Sequence, residues 1–168
     1  QGCNAPYYWH SLDNRCYSLE FIPSTYGPDN STNKTSKCPS NCKNCDYDYK
    51  QCTACDTLSN YYLNNTDKQC YLRSTIPTGY GADIINGDID PCRVANCVSC
   101  QFDYTQCTRC DIANSYYLDR VSSPDKCVKL ADINDGFGPD LVLSSATYGQ
   151  VIGCSDSLCR VCQYDRTN

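Results

Sequence analysis

The sequence predicts small disulfide-rich tandem repeats, with short β-strands, hairpins and irregular loops stacked into an elongated rod and little or no helix. Three observations predict this. The 168-residue chain carries 17 cysteines, a density found in disulfide scaffolds rather than in ordinary globular domains. Those cysteines recur in a near-constant rhythm. No apolar pattern of helical period runs long enough for a substantial helix.

The composition explains why cross-links are needed. Aliphatic residues are scattered, there is no Met, the only Trp is Trp9, and Tyr occurs 15 times. A single large core is not available, so disulfides take its place, as in small secreted modules. The net charge is −5 with no run of Lys or Arg, which argues against a nucleic-acid partner. No segment approaches the ~18 apolar residues of a membrane span. No signal peptide is visible, so the sequence reads as a mature or cut N-terminus. The tripeptides beginning at Asn30, Asn33 and Asn64 are N-glycosylation sequons without Pro at the middle position. With the cysteine load they point to N-linked glycans and to an extracellular or cell-surface location.

The repeat is read from its cysteines. The first complete copy is Cys38-x3-Cys42-x2-Cys45-x6-Cys52-x2-Cys55-x14-Cys70. The second is Cys92-x4-Cys97-x2-Cys100-x6-Cys107-x2-Cys110-x16-Cys127. A third starts at Cys154-x4-Cys159-x2-Cys162, and Cys3 and Cys16 match the last two cysteines of a preceding copy. Other positions keep phase. Six residues after the last Cys of each copy stands Ile22, Ile76 or Ile133. Ten residues after it comes aromatic-Gly-x-Asp, at Tyr26–Asp29, Tyr80–Asp83 and Phe137–Asp140. An aromatic cluster precedes it at Tyr7-Tyr8-Trp9, Tyr61-Tyr62-Leu63 and Tyr116-Tyr117-Leu118.

The predicted organisation is 1–37, the end of one repeat with its linker; 38–91, a complete repeat; 92–153, a complete repeat with a longer linker; and 154–168, the start of another. The two ends complement each other in phase. The sequence therefore reads as a window on a longer array, or as a unit recurring along a fibre. Gly, Pro, Asn, Asp and Ser punctuate it every ten residues or so, leaving room for turns and brief strands. Tyr61–Leu63 and Tyr116–Leu118 are the best strand candidates. Residues 140–153 read as a hairpin with arms Leu141–Leu143 and Val151–Ile152.

The pairs Cys42/Cys45 and Cys52/Cys55 have a spacing that suits an all-cysteine zinc site. Three features favour disulfides instead. Zinc thiolates need a reducing compartment, which the sequons oppose. Six cysteines per copy would leave two stranded by a four-thiolate site. The C-x14-C and C-x16-C pairs look like closed loops. A thioredoxin-like redox site is disfavoured because five CxxC pairs in tandem are too many and no βαβ pattern surrounds them. Six cysteines still permit fifteen connectivities, and spacing does not choose among them.

The pattern C-x3/4-C-x2-C-x6-C-x2-C, followed by YYL and a closing Cys, resembles the furin-like, or growth-factor-receptor, cysteine-rich repeat. It is most similar to the long tandem forms in surface proteins of ciliates and other protists. The resemblance spans nearly the whole chain, which departs from it in the long Ile-x3-aromatic-Gly-x-Asp linker. It implies pairing of first with third, second with fourth and fifth with sixth cysteines. The implied bridges are Cys38–Cys45, Cys42–Cys52 and Cys55–Cys70, then Cys92–Cys100, Cys97–Cys107 and Cys110–Cys127, with Cys3–Cys16 and Cys154–Cys162 at the ends. Cys159 is left unpaired within the sequence. The closing loop of each copy is worth about 3 kcal/mol in the chain-entropy account.

Asp29, Asp83 and Asp140, helped by Asp88 and Asp90, are candidate calcium ligands. Calcium takes six to eight oxygens, and one repeated Asp per copy falls short. The favoured reading is a turn, with Gly supplying positive φ and Asp bonding nearby backbone. His10, the only histidine, is read as a surface residue. No catalytic constellation, Gly-rich phosphate loop or metal triad is present, so the expectation is a non-enzyme without a cofactor. The expected function is structural: a segment of a secreted or surface stalk, coat or filament, contacting neighbouring repeats or head-to-tail copies. The alternative is a ligand-binding receptor ectodomain or surface antigen module, with the repeat-breaking insertion in 140–153 as its candidate site.

Overall fold

The computed structural model describes residues 2–122, 124–155 and 162. It contains short strands and single 3-10 turns, with no α-helix among the described residues. Two compact units form, Gln1–Ile76 with Ala82–Ile89, and Pro77–Gly81 with Asp90–Asn168.

One building block recurs: two hairpins laid side by side. In the first unit β1 (Tyr8–His10) pairs antiparallel with β2 (Arg15–Tyr17), and β3 (Tyr26–Asp29) with β4 (Lys34–Lys37). A parallel contact between Trp9 and Lys34 joins them into a sheet of order β2-β1-β4-β3. A bulged two-stranded ladder follows, β5 (Cys42–Asn44) with β6 (Ala54–Cys55), in which Cys42 faces Cys55. The block then repeats. Strand β7 (Tyr61–Asn64) pairs with β8 (Gln69–Leu72), and Leu63 meets Asp88 in parallel. With β9 (Tyr80–Asp83) and β10 (Asp88–Pro91) the order is β8-β7-β10-β9.

The second unit carries the bulged ladder β11 (Cys97–Ser99) with β12 (Arg109–Cys110). It continues with β13 (Tyr116–Asp119) paired to β14 (Lys126–Lys129), and β15 (Phe137–Pro139) paired to β16 (Val151–Gly153). Here the strand contact between the two hairpins is the single parallel bridge Leu118↔Gln150 among the described residues. The expected hairpin is therefore present, but its first arm is Phe137–Pro139. Leu141–Leu143 lies in the long turn instead, where its side chains need no pleated partner.

The same backbone bond ties the hairpins in every copy. The N–H of Trp9 donates to the carbonyl of Asn33 at 3.0 Å, Leu63 to Gly87 at 2.9 Å, and Leu118 to Gly149 at 2.9 Å. All three acceptor residues have left-handed backbone, with φ of 53°, 81° and 79°. Asn and Gly are the residues that tolerate this conformation best.

The core is divided into small clusters. Cys38, Cys42, Cys45, Cys52, Cys55 and Leu63 form one, lined by Tyr49 and Tyr61. Tyr62, Ile76, Ala82 and Ile89 form a second. In the second unit Cys107, Cys110 and Leu118 form a sulfur-rich cluster, and Tyr117, Val128, Ile133 and Val151 an apolar one. Strand alternation sends neighbouring residues to different clusters. Leu63 faces sulfur while Tyr62 faces the aliphatic cluster, and Leu118 and Tyr117 do the same.

Candidate functional site

Eight disulfides organise the chain. Cys38 joins Cys45, Cys42 joins Cys52 and Cys55 joins Cys70; Cys92 joins Cys100, Cys97 joins Cys107 and Cys110 joins Cys127. Cys3 joins Cys16, and Cys154 joins Cys162. Cys159 lies outside the described residues. The first two bridges of each copy interlock through the bulged ladder, and the third ties that ladder to the hairpin that follows, Cys55 on β6 to Cys70 on β8 and Cys110 on β12 to Cys127 on β14. The sulfurs of this third bridge lie close to those of the preceding one, Cys52 Sγ to Cys70 Sγ at 3.3 Å and Cys107 Sγ to Cys127 Sγ at 3.7 Å. Cys42, Cys52 and Cys70 thus converge, as do Cys107, Cys110 and Cys127. A bridged sulfur offers no thiolate, so neither cluster is a zinc ligand set in this oxidised chain. The spacing-based set of Cys42, Cys45, Cys52 and Cys55 is also divided, because Cys45 is tied to Cys38.

The aromatic-Gly-x-Asp element begins the second hairpin of each block, and its glycine has a different purpose from the one expected. Gly27, Gly81 and Gly138 do not have positive φ. They lie where the strand presses on a bridged cysteine. A Cβ on Gly27 would stand 2.2 Å from the carbonyl oxygen of Cys45, and the corresponding distances at Gly81 to Cys100 and Gly138 to Cys162 are both 2.0 Å. Close approach, rather than turn geometry, excludes a side chain there. The left-handed position comes two residues earlier, at Thr25 (φ 68°), Gly79 (86°) and Gly136 (83°).

The repeated aspartates fold their own turns. Asp29 accepts from the N–H and hydroxyl of Ser31. Asp83 accepts from the N–H groups of Ile85 and Asn86 and from the Asn86 side chain. Asp140, completely buried, accepts from Val142 N–H and the hydroxyls of Ser145 and Thr147. These bonds hold the carboxyl of Asp29 below its ordinary value, chiefly through the Ser31 hydroxyl, and that of Asp83, chiefly through the Asn86 N–H. Asp119 is also lowered. Burial, the largest single influence, pushes it up, but bonds from Ser122 and Val121 and the charge of Lys126 together outweigh it. Each carboxylate is thus engaged by donors of its own turn, the arrangement a turn requires. The long turn of 140–153 is closed over Asp140 in the same way.

His10 is not on the surface. It is 4% exposed, its Nδ1 lies 2.6 Å from Thr35 Oγ1, and the rings of Tyr26 and Tyr17 meet it edge-on. Its place in the chain explains this. His10 follows the aromatic cluster where the other copies carry Asn64 and Asp119, and β1 lies between β2 and β4 in the sheet. The repeat phase carried that signal.

Among the sequons, Asn30 and Asn33 are exposed on the β3–β4 turn, and Asn64 is half-buried at the end of β7. The Asn30 Oδ1 accepts from the Tyr8 hydroxyl at 2.7 Å. The Asn64 Oδ1 accepts from the Thr66 N–H at 2.9 Å.

No helix among the described residues is long and apolar enough to cross a membrane. The dense disulfides fit an extracellular cysteine-rich module in an oxidising environment. No family model, curated protein or solved structure matches the chain.

Proposed function

We propose that this chain is a structural segment of a secreted or cell-surface protein, built to form part of a stalk, coat or filament. The observation that supports this reading is repetition: one block of two hairpins and a staple disulfide, made in successive copies with the same inter-hairpin bond. Linear repetition lets each copy lean on its neighbours, so that length is added without a new core. The furin-like resemblance of the cysteine rhythm agrees with such a role, and N-linked glycans at Asn30, Asn33 and Asn64 would shield the surface. No enzymatic role is proposed. Electron microscopy of the native material tests the reading. Elongated particles or fibres are expected, and compact monomers would overturn it.

A further inference from the structure

The first unit holds a cleft of about 760 Å³ whose lining includes Leu19, Glu20, Ile22, Tyr26, Asp46 and Tyr47. Its lining mixes apolar and aromatic side chains with polar ones. Its charged groups are two carboxylates, and no Lys, Arg or His lines it. Glu20 sits on the 3-10 turn Leu19–Phe21 and has no hydrogen-bond or ion-pair partner among the described residues. The Asp46 carboxylate is held by the Thr53 hydroxyl at 2.7 Å.

The repeat supplies an internal control. Counting from the closing cysteine, Glu20 corresponds to Ser74 and Ala131; counting from the third cysteine of a copy, Asp46 corresponds to Gln101 and Gln163. The framework needs neither carboxylate, since the other copies use neutral residues there. The isoleucine of the linker differs as well. Ile76 and Ile133 are buried, 2% and 9% exposed, whereas Ile22 is only half-buried and forms part of the cleft wall. Around this cleft the first unit therefore differs from the later copies: Glu20 and Asp46 add two negative charges, and Ile22 is left partly uncovered.

We propose that this cleft docks an arginine side chain of a partner peptide. A guanidinium stacks on tyrosine faces, and its fork of donors matches carboxylates. The apolar part of the lining suits its methylene stem and flanking aliphatic residues. The chain's net charge of −5 favours approach of a basic segment. This site is independent of any role in a stalk or filament, and a positive result here leaves that reading untouched.

The probe is a blocked tripeptide of leucine, arginine and leucine, titrated into the intact oxidised chain by calorimetry at low salt. Saturable one-to-one binding is expected. The same peptide with citrulline, which keeps the shape and loses the charge, should bind at least tenfold more weakly. Glu20→Ser and Asp46→Gln install the neutral residues that Ser74 and Gln101 supply at the equivalent positions of the following copies, and each should weaken binding about three- to tenfold. The pair Asp132→Asn and Asp135→Asn removes two charges that do not line the cleft and should leave affinity unchanged. Absence of binding overturns the proposal. So does equal binding of the citrulline peptide, or equal weakening by the Asp132 and Asp135 pair, which would reduce the effect to net charge. Retention of all eight bridges in non-reducing peptide maps of each variant shows that a lost affinity is not lost folding.

Discussion

Gly27 lies directly against the bridged Cys45: a Cβ placed on it would be 2.2 Å from the Cys45 carbonyl oxygen and 2.4 Å from its Sγ. Gly81 meets Cys100 in the same way, at 2.0 and 2.8 Å, with the Cα of Tyr104 at 2.7 Å. The obstructing atoms are backbone and a cross-linked sulfur, which cannot turn aside as a flexible side chain would. Gly81→Ala should therefore cost about 3 kcal/mol or more, the range of severe overpacking. Secretion yield and thermal unfolding of the oxidised chain measure it. Gly153→Ala is the control, because nothing lies within 4 Å of the Cβ it would add.

Thr25 occupies a left-handed position that its counterparts Gly79 and Gly136 fill without a side chain. A β-branched residue at positive φ is strained. The backbone still needs the conformation, because the Thr25 N–H donates to Lys43 and its carbonyl accepts from Cys38, as Gly79 does with Val98 and Cys92. Thr25→Gly should raise stability by about 1 kcal/mol, the relief of strain exceeding the entropy added to the unfolded chain. Gly79→Thr should do the opposite. Thermal midpoints of the two variants must move in opposite directions; a fall in both would remove strain as the explanation.

The Cys55–Cys70 bridge closes a separation of 15 residues around the β7–β8 hairpin. Replacing both cysteines with Ala leaves no stray thiol and should cost about 3 kcal/mol in the chain-entropy account. The loss should be local at first, since the other bridges of the copy do not enclose this hairpin. Limited proteolysis is expected to open the segment between Tyr61 and Leu72 before Cys38–Cys52. Simultaneous cleavage of both would show that the copy unfolds as one piece.

Much of this design was legible from phase. The strands at Tyr61–Leu63 and Tyr116–Leu118 follow from the aromatic cluster before a closing cysteine, and the turn aspartates follow from their single occurrence per copy. Other features were hidden for physical reasons. The glycine of aromatic-Gly-x-Asp reads like a turn residue, and only three-dimensional proximity reveals that Cys45, Cys100 and Cys162 exclude its side chain. His10 looks exposed in a polar stretch, but Thr35 of β4 and the rings of Tyr17 and Tyr26 enclose it. The disulfide pairing could not be read from spacing, because loops of similar length close at similar entropic cost. The carboxylates Glu20 and Asp46 are distant in sequence and match no motif. Their signal was that they break the repeat.

The turn aspartates set the response to acid. Asp29, Asp83 and Asp119 have folded values below the ordinary 3.8. A carboxyl depressed by folding stabilises the folded chain fully above its unfolded value, and that contribution is lost as pH falls through the folded value. The thermal midpoint of the oxidised chain should therefore stay nearly level from pH 7 to roughly pH 4 and then decline. Asp83 is the cleanest case, because its donors are backbone and the neutral Asn86 side chain. Asp83→Asn keeps an acceptor oxygen but removes the charge, so it should lower the midpoint at pH 7. The gap from the unsubstituted chain should narrow between pH 4 and pH 2, as Asp83 becomes neutral in both. A gap that stayed constant over that range would mean that Asp83 acts through shape alone. The disulfides hold the chain topology at every pH tested, so the decline reads the turns rather than a loss of the cross-linked frame.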